Sequence, residues 1–335
     1  MAASYPGREA EPPPSADDLR AIPLLSLCVD TAAGFDIFVR TRRDRAPILY
    51  RRKNLPITES VLARLADHRH TEVFVRRSDE RAYHRYLEEN LPMILADDSV
   101  DVPEKAEVLY ECAQGLMEEV MAEPRSGAMV KRSRALVEST VGFMKSERTS
   151  FRQLLRVVSY DYYTYTHSVN VFVFAIALAQ RVGYDDPDTL KVFGEGALLH
   201  DVGKSDIDPS ILNCRAKLSA RQWDVMKRHP EYGLRILASQ GGFDEIVLDI
   251  VRHHHEKLNG TGYPDGLADG AIGPLVRIVT IADIFDALTT HRSYKRALES
   301  FAALMLMREE MSEELDPHLF RAFIRLMGDP DEPGT

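Results

Sequence analysis

The sequence predicts a mainly α protein, with a small N-terminal α+β domain followed by a C-terminal all-α helical bundle. Three observations carry that expectation. Strand-like runs occur only before Pro103. From Pro103 onward, apolar residues recur at helical spacing in long segments without β-like alternation. The breaks between those segments fall at Gly, Pro and Asp clusters, such as 183–187, 206–209, 241–242 and 259–273.

In chain order, residues 1–21 include AASYPGREAEPPPSADD and read as a disordered tail, because Pro, Ala and acidic residues offer little apolar surface to bury. Residues 22–98 form the small domain. An apolar run at 22–29 is followed by FDIFVR (35–40), a strand whose alternation breaks at Phe38, and by PILYR (47–51), whose proline suits the opening of a strand or a sheet edge. Thr58 opens a helix with Val61, Leu62 and Leu65 on one face; TEVFV (71–75) is a strand and 80–91 a helix. This domain shows no nucleophile, metal cluster or phosphate loop, so a regulatory or interaction role is expected, with a homodimer or a signalling partner engaged through it.

Connecting helices occupy 99–155, with helical patterns at 104–122, 128–146 and 149–160. The third part, 156–328, carries helices at 162–182, 187–201, 219–239, 244–256, 275–288, 299–312 and 317–327, and 329–335 is a polar tail. No repeat of fixed period is present.

Composition narrows the function. A chain of 335 residues suits two domains, and 44% hydrophobic with 28% charged residues suits a soluble protein with a real core. Against 52 Asp plus Glu stand 42 Lys plus Arg, a net charge of -10 that argues against duplex nucleic acid, whose binding rests on phosphate neutralisation. A small anion stays within reach where metals or a local basic cluster invert the field. The three cysteines, Cys28, Cys112 and Cys214, form no CxxC pair, which excludes a disulfide framework and a Cys-rich zinc site. No apolar run approaches the roughly 18 residues of a membrane span, and no secretory signal pattern opens the chain, so no membrane insertion and a cytoplasmic location are expected.

The histidines are the chemical signal. Eight of the 11 lie at or after His167. His167 sits inside the apolar THSVNVFVFAIALA, His200 and Asp201 end GEGALLHD, His229 lies in KRHP, and His254 and His255 lie in HHHE. Asp283 interrupts VRIVTIADIFDAL, where a carboxylate is costly unless it meets a cation or metal. Any one of these residues alone reads as a core or surface side chain, and His68, His70, His84, His291 and His318 are read that way; His253 is read as lying outside the ligand set. Imidazoles and carboxylates carried together on several helices are what a borderline divalent ion requires. Two such ions about 3.5–4 Å apart would clamp a phosphoryl group and make hydroxide available near neutral pH.

The motifs DYYTYTHS (161–168), HDVGK (200–204), MKRHPEYG (226–233), HHEKLNGTGYPDGL (254–267) and IADIFDALTTHRSYKRA (281–297) occur in that order. In this pattern the sequence resembles the HD-GYP family of cyclic di-GMP phosphodiesterases, a branch of the HD metal-dependent phosphohydrolases. The resemblance covers about 161–297, and the GYP segment after HHE is its most specific part.

The resemblance implies an HD-type helical bundle and a binuclear site. His167, His200, Asp201 and Asp283 match the ligands of one metal, and Asp201, His229, His254 and His255 those of the other, with Asp201 bridging. Iron or manganese is the implied pair of ions. Tyr163 stands where some relatives carry a third-metal Glu, so two ions per chain are expected. Lys204, Tyr263, Arg292 and Lys295 match substrate-contacting positions, Lys204 with Asp201 being assigned to the reaction itself. The implied activity is hydrolysis of cyclic di-GMP to the linear dinucleotide pGpG, with a second cut giving GMP. The alternative is a catalytically weak module that binds cyclic di-GMP and signals through a partner protein. Ser205–Pro209 is more acidic than the family pattern, and Arg292-Ser293-Tyr294 stands for its Arg-Pro-Tyr; these departures touch loops and spare every ligand position.

Overall fold

The computed structural model describes residues 14–40, 47–68, 70–147, 149–158, 164–214, 216–291 and 297–329. Tyr163, Arg292 and Lys295 lie outside the described residues, as do most of both tails. Two compact units divide the chain at residues 100 and 101.

The first unit runs β1 (Leu19–Pro23), β2 (Thr31–Ala32), β3 (Ile37–Val39), β4 (Ile48–Arg51), β5 (Pro56–Ile57), α1 (Glu59–Asp67), β6 (Glu72–Arg76) and α2 (Glu80–Ala96). An antiparallel sheet has the order β1-β6-β3-β4, with Leu19 opposite Arg76 and Phe38 opposite Phe74. The expected tail is therefore too long by three residues. Leu19, buried with Phe38 and Phe74, opens β1, because β6 supplies a ladder partner that the local composition does not reveal. Helix α1 buries Val61 and Leu65, as its spacing predicts. Helix α2 carries Tyr83 and Tyr86 edge-on against Phe35, at 5.8 and 5.6 Å between ring centres.

The second unit is all-helical: α3 (Val102–Ala122), α4 (Met129–Ser146), α5 (Ser150–Val157), α6 (Thr164–Arg181), α7 (Pro187–Leu199), α8 (Pro209–Leu212), α9 (Ala220–Met226), α10 (His229–Gln240), α11 (Glu245–His253), α12 (Pro274–Thr289), α13 (Ser300–Glu310) and α14 (Pro317–Gly328). Apolar nearly all round, α6 is central and buried on every side. It packs on α12, where Phe174, Phe285 and Phe323 meet edge to face at 5.1–6.3 Å. Helices α3 and α4, read from the sequence as connectors, pack on α6 and α7 and bury Leu109, Leu116, Leu136 and Val137. The pattern at 219–239 is two helices, not one. Pro230 favours the first turn of a new helix, and the chain breaks between Met226 and His229. Among the described residues no helix is long and apolar enough to cross a membrane.

Candidate metal centre

The donor residues come from five helices; α7, α10 and α11 end or open at the site, while α6 and α12 run past it. His167 projects from the second turn of α6, His200 is the C-cap of α7 and Asp201 follows it. His229 is the first residue of α10, His254 and His255 follow α11, and Asp283 lies within α12. Gly203 permits the closest approach: a Cβ there would stand 2.0 Å from the His229 carbonyl oxygen and 2.3 Å from the Gly233 nitrogen. Only glycine lets the turn after Asp201 lie against the opening of α10.

Two groups of donors form, Asp201 with His229, His254 and His255, and His167 with His200 and Asp283; within each, the donor atoms lie within 4.8 Å of one another. Asp201 joins them. Its Oδ2 faces His167 Nε2 at 3.5 Å and His200 Nε2 at 3.4 Å, while its Oδ1 faces His229 Nε2 at 3.2 Å and His254 Nε2 at 3.8 Å. Asp283 also spans the groups, with Oδ1 3.0 Å from His167 Nε2 and Oδ2 3.4 Å from His255 Nδ1.

The ring tautomers show what this arrangement suits. Nδ1 of His200 lies 2.8 Å from Ala197 O, that of His229 2.8 Å from Met226 O, and that of His254 3.1 Å from Val251 O. A carbonyl only accepts, so each Nδ1 holds a hydrogen and Nε2 is the ring atom turned inward, the one whose lone pair a metal would take. The Nε2 atoms of His229 and His254 stand 3.2 Å apart. His200 Nε2 and Asp201 Oδ1 are buried without a hydrogen-bond partner among the described residues. Burying acceptors this way costs about 1–3 kcal/mol each unless a cation completes them. The donor set fits divalent metal ions.

The electrostatics agree. Burial and the neighbouring His255, His200 and His229 hold His254 well below the ordinary histidine range. Burial also holds His255 down to about 3, against the pull of Asp283. Burial opposes charge on Asp201, but the Lys204 ammonium beside it keeps its carboxyl well below the usual range. For His167 burial disfavours the charged ring, yet Asp283 and Asp286 raise it to about 10, so a cation, proton or metal, belongs between His167 and Asp283.

Lys204 is buried with its Nζ against Asp201 Oδ2. The Tyr263 ring leans over His255 at 4.7 Å, and burial keeps its phenol protonated. The GYP loop that carries it is pinned by the buried Glu256, whose carboxylate accepts from the backbone N–H of Asp265, Gly266 and Leu267. A Cβ at Gly262 would meet the backbone of residues 255–257 at 2.5–2.6 Å, so glycine is required there too. Above the donors opens a cleft of about 1130 Å³ whose lining includes Lys204, His229, His255, Tyr263 and Asp283.

The sequence reading missed the support behind the donors. His167 Nδ1 lies 2.6 Å from Asp286 Oδ2; Asp286 Oδ1 accepts from Asn170 Nδ2 at 2.8 Å, and Tyr110 donates to Asn170 Oδ1 at 2.7 Å. A second buried acid three residues after Asp283 in an apolar helix was the available signal for Asp286. His253 stands outside both donor groups, bonded to Asp249 and Asp265. The acidic loop after Lys204 is spoken for: Asp206 takes a bidentate contact from Arg125 at 2.6 and 3.0 Å, and Asp208 caps α8.

Residues 125–319 match the HD domain family. The chain is 34% identical over 225 residues to a cyclic di-GMP phosphodiesterase of Pseudomonas aeruginosa, covering 67% of this chain and 54% of that protein. It is 35% identical over 181 residues to the cyclic di-GMP phosphodiesterase response regulator RpfG of Xanthomonas campestris, covering 53% of this chain and 48% of that one. The chain thus spans about half the length of these curated relatives. It is also 36% identical over 156 residues, 46% of this chain and 34% of the relative, to a 3'3'-cGAMP-specific phosphodiesterase of Vibrio cholerae. In fold it is similar to Bd1817, an HDG"Y"P protein from Bdellovibrio bacteriovorus, with a TM-score of 0.64 at 24% identity over 93% of this chain and all of that one. With the HD pair at the junction of the donor groups and the GYP loop over them, the chain belongs to the HD domain family, in its HD-GYP form.

Proposed function

We propose that this chain is a metal-dependent phosphodiesterase that hydrolyses cyclic di-GMP to pGpG and, by a second cut, to GMP. The observation that carries the reading is one carboxylate, Asp201, facing two groups of donors, of which His229, His255 and Asp283 line a cleft large enough for a dinucleotide. Relatives named as cyclic di-GMP phosphodiesterases support it.

In this reading two divalent ions, iron or manganese, are held by His167, His200, Asp201 and Asp283 and by Asp201, His229, His254 and His255. When bound, such ions supply positive charge for phosphate oxygens and lower the pKa of water towards neutrality. Lys204 adds a buried cation against Asp201, worth several kcal/mol where charge develops on the phosphate. The protonated Tyr263 phenol can donate to a phosphate or ribose oxygen. Arg292 and Lys295 would complete phosphate binding, the first by a bidentate contact and the second as a point charge. The N-terminal unit is assigned a regulatory or partner-binding role, and the setting is cytoplasmic.

The test is turnover of cyclic di-GMP beside 3'3'-cGAMP by protein purified anaerobically and reconstituted with iron or manganese. Faster release of pGpG from cyclic di-GMP, lost on chelation, supports the reading. Binding without turnover, or preference for 3'3'-cGAMP, overturns it.

A further inference from the structure

Two parts of the cleft lining differ in chemistry. One is ionic, with Lys204, His229, His255 and Asp283. The other, contributed by residues 207–226, is apolar except for Asn213 and includes Leu212, Leu218, Trp223 and Met226. Trp223 stands out there: a large indole, 48% exposed, that lines the cleft and is the one tryptophan of the chain. It is carried on a stiff support. Ser219 and Gln222 close a capping box at the start of α9, and Trp223 N donates to Ser219 O at 2.8 Å.

Metal ions and phosphates have no use for such a wall, whereas a flat heterocycle attached to a phosphate does. We infer that Trp223 is the stacking platform for a purine base of the substrate, with Met226 and Leu218 closing the apolar wall around it. This deepens the proposed function and rests on it for the identity of the dinucleotide. An exposed indole offers a purine a face at little entropic cost, since few torsions are immobilised. The ionic floor would then engage the phosphodiester while the wall orients the base.

Because Trp223 is the only tryptophan of this chain, its tryptophan emission reports on this position alone. Titration with GMP should quench it saturably, and ribose 5-phosphate, which has no base, should not. In steady-state kinetics Trp223→Ala should raise KM for cyclic di-GMP by at least about fivefold with kcat little changed, as base–aromatic stacking predicts. Trp223→Phe, which keeps an aromatic face, should recover most of that loss. Metal content and melting temperature at wild-type values would show that neither variant disturbs the floor. Absence of GMP quenching together with an unchanged KM in Trp223→Ala overturns the inference while leaving the proposed activity standing. If the wild type turns over no cyclic di-GMP, that activity falls, and base-dependent quenching by GMP alone still decides the inference.

Discussion

The rings of His229 and His254 and the ring of His167 are held by different means. His229 and His254 are each oriented by a main-chain carbonyl, Met226 O or Val251 O, where a helix ends or begins, as His200 is by Ala197 O. His167 is oriented by a side chain, Asp286, itself held by Asn170 and Tyr110. The difference teaches where each donor can be altered. A carbonyl cannot be mutated away, so the main-chain side yields only to changes that move the backbone. His167 has a chain of replaceable groups behind it.

The comparison can be broken outright at the residue both sides share. Asp201→Ala should abolish retention of both ions and all hydrolysis, with helicity near wild type, as read by elemental analysis, assay and circular dichroism. Normal metal content with normal turnover would refute the site.

Gly203→Ala attacks the main-chain side. Its Cβ must displace the His229 carbonyl or the Gly233 nitrogen, a clash costing about 1–3 kcal/mol of stability. The expected result is a lowered melting temperature and preferential loss of the ion on the His229 side. An unchanged melting curve with full metal content would show that this junction is not tight.

Asp286→Asn sharpens the contrast from the other direction. The fold should persist, while affinity for one ion falls about 10- to 100-fold and that for the second stays near wild type, because outer carboxylates tune only the ligand they touch. Stepwise metal titration by calorimetry separates the two. Equal weakening of both ions would mean that the sides are not independently supported.

Tyr110→Phe should give the smallest effect. Losing one buried hydrogen bond to Asn170 costs about 1 kcal/mol, seen as a few-fold weakening of the same ion that Asp286→Asn weakens. An effect on the His229 side instead would break the proposed chain from Tyr110 to His167.

The amino-acid sequence alone determined which residues could meet and in what kind of scaffold. Polar side chains at His167, His200 and Asp283 stand in helices that are otherwise apolar, and a buried polar group must find a partner, so their convergence was legible from patterning. Helix positions followed from periodicity and from Gly, Pro and Asp breaks; the structure adds the caps Asp186 and Asp244, whose side chains accept from Thr189 N and Ile246 N. Partnership across the chain was decided by tertiary structure alone. Asp286 lies 119 residues from His167 and 116 from Asn170, and Tyr110 lies 60 from Asn170, separations over which no local pattern acts. Leu19 became a strand because β6 stood beside it, and Trp223 came to line the cleft because the break between Met226 and His229 lets α9 and α10 run separately. Local sequence sets which conformations are cheap and which side chains need company; only the packed chain selects the neighbour.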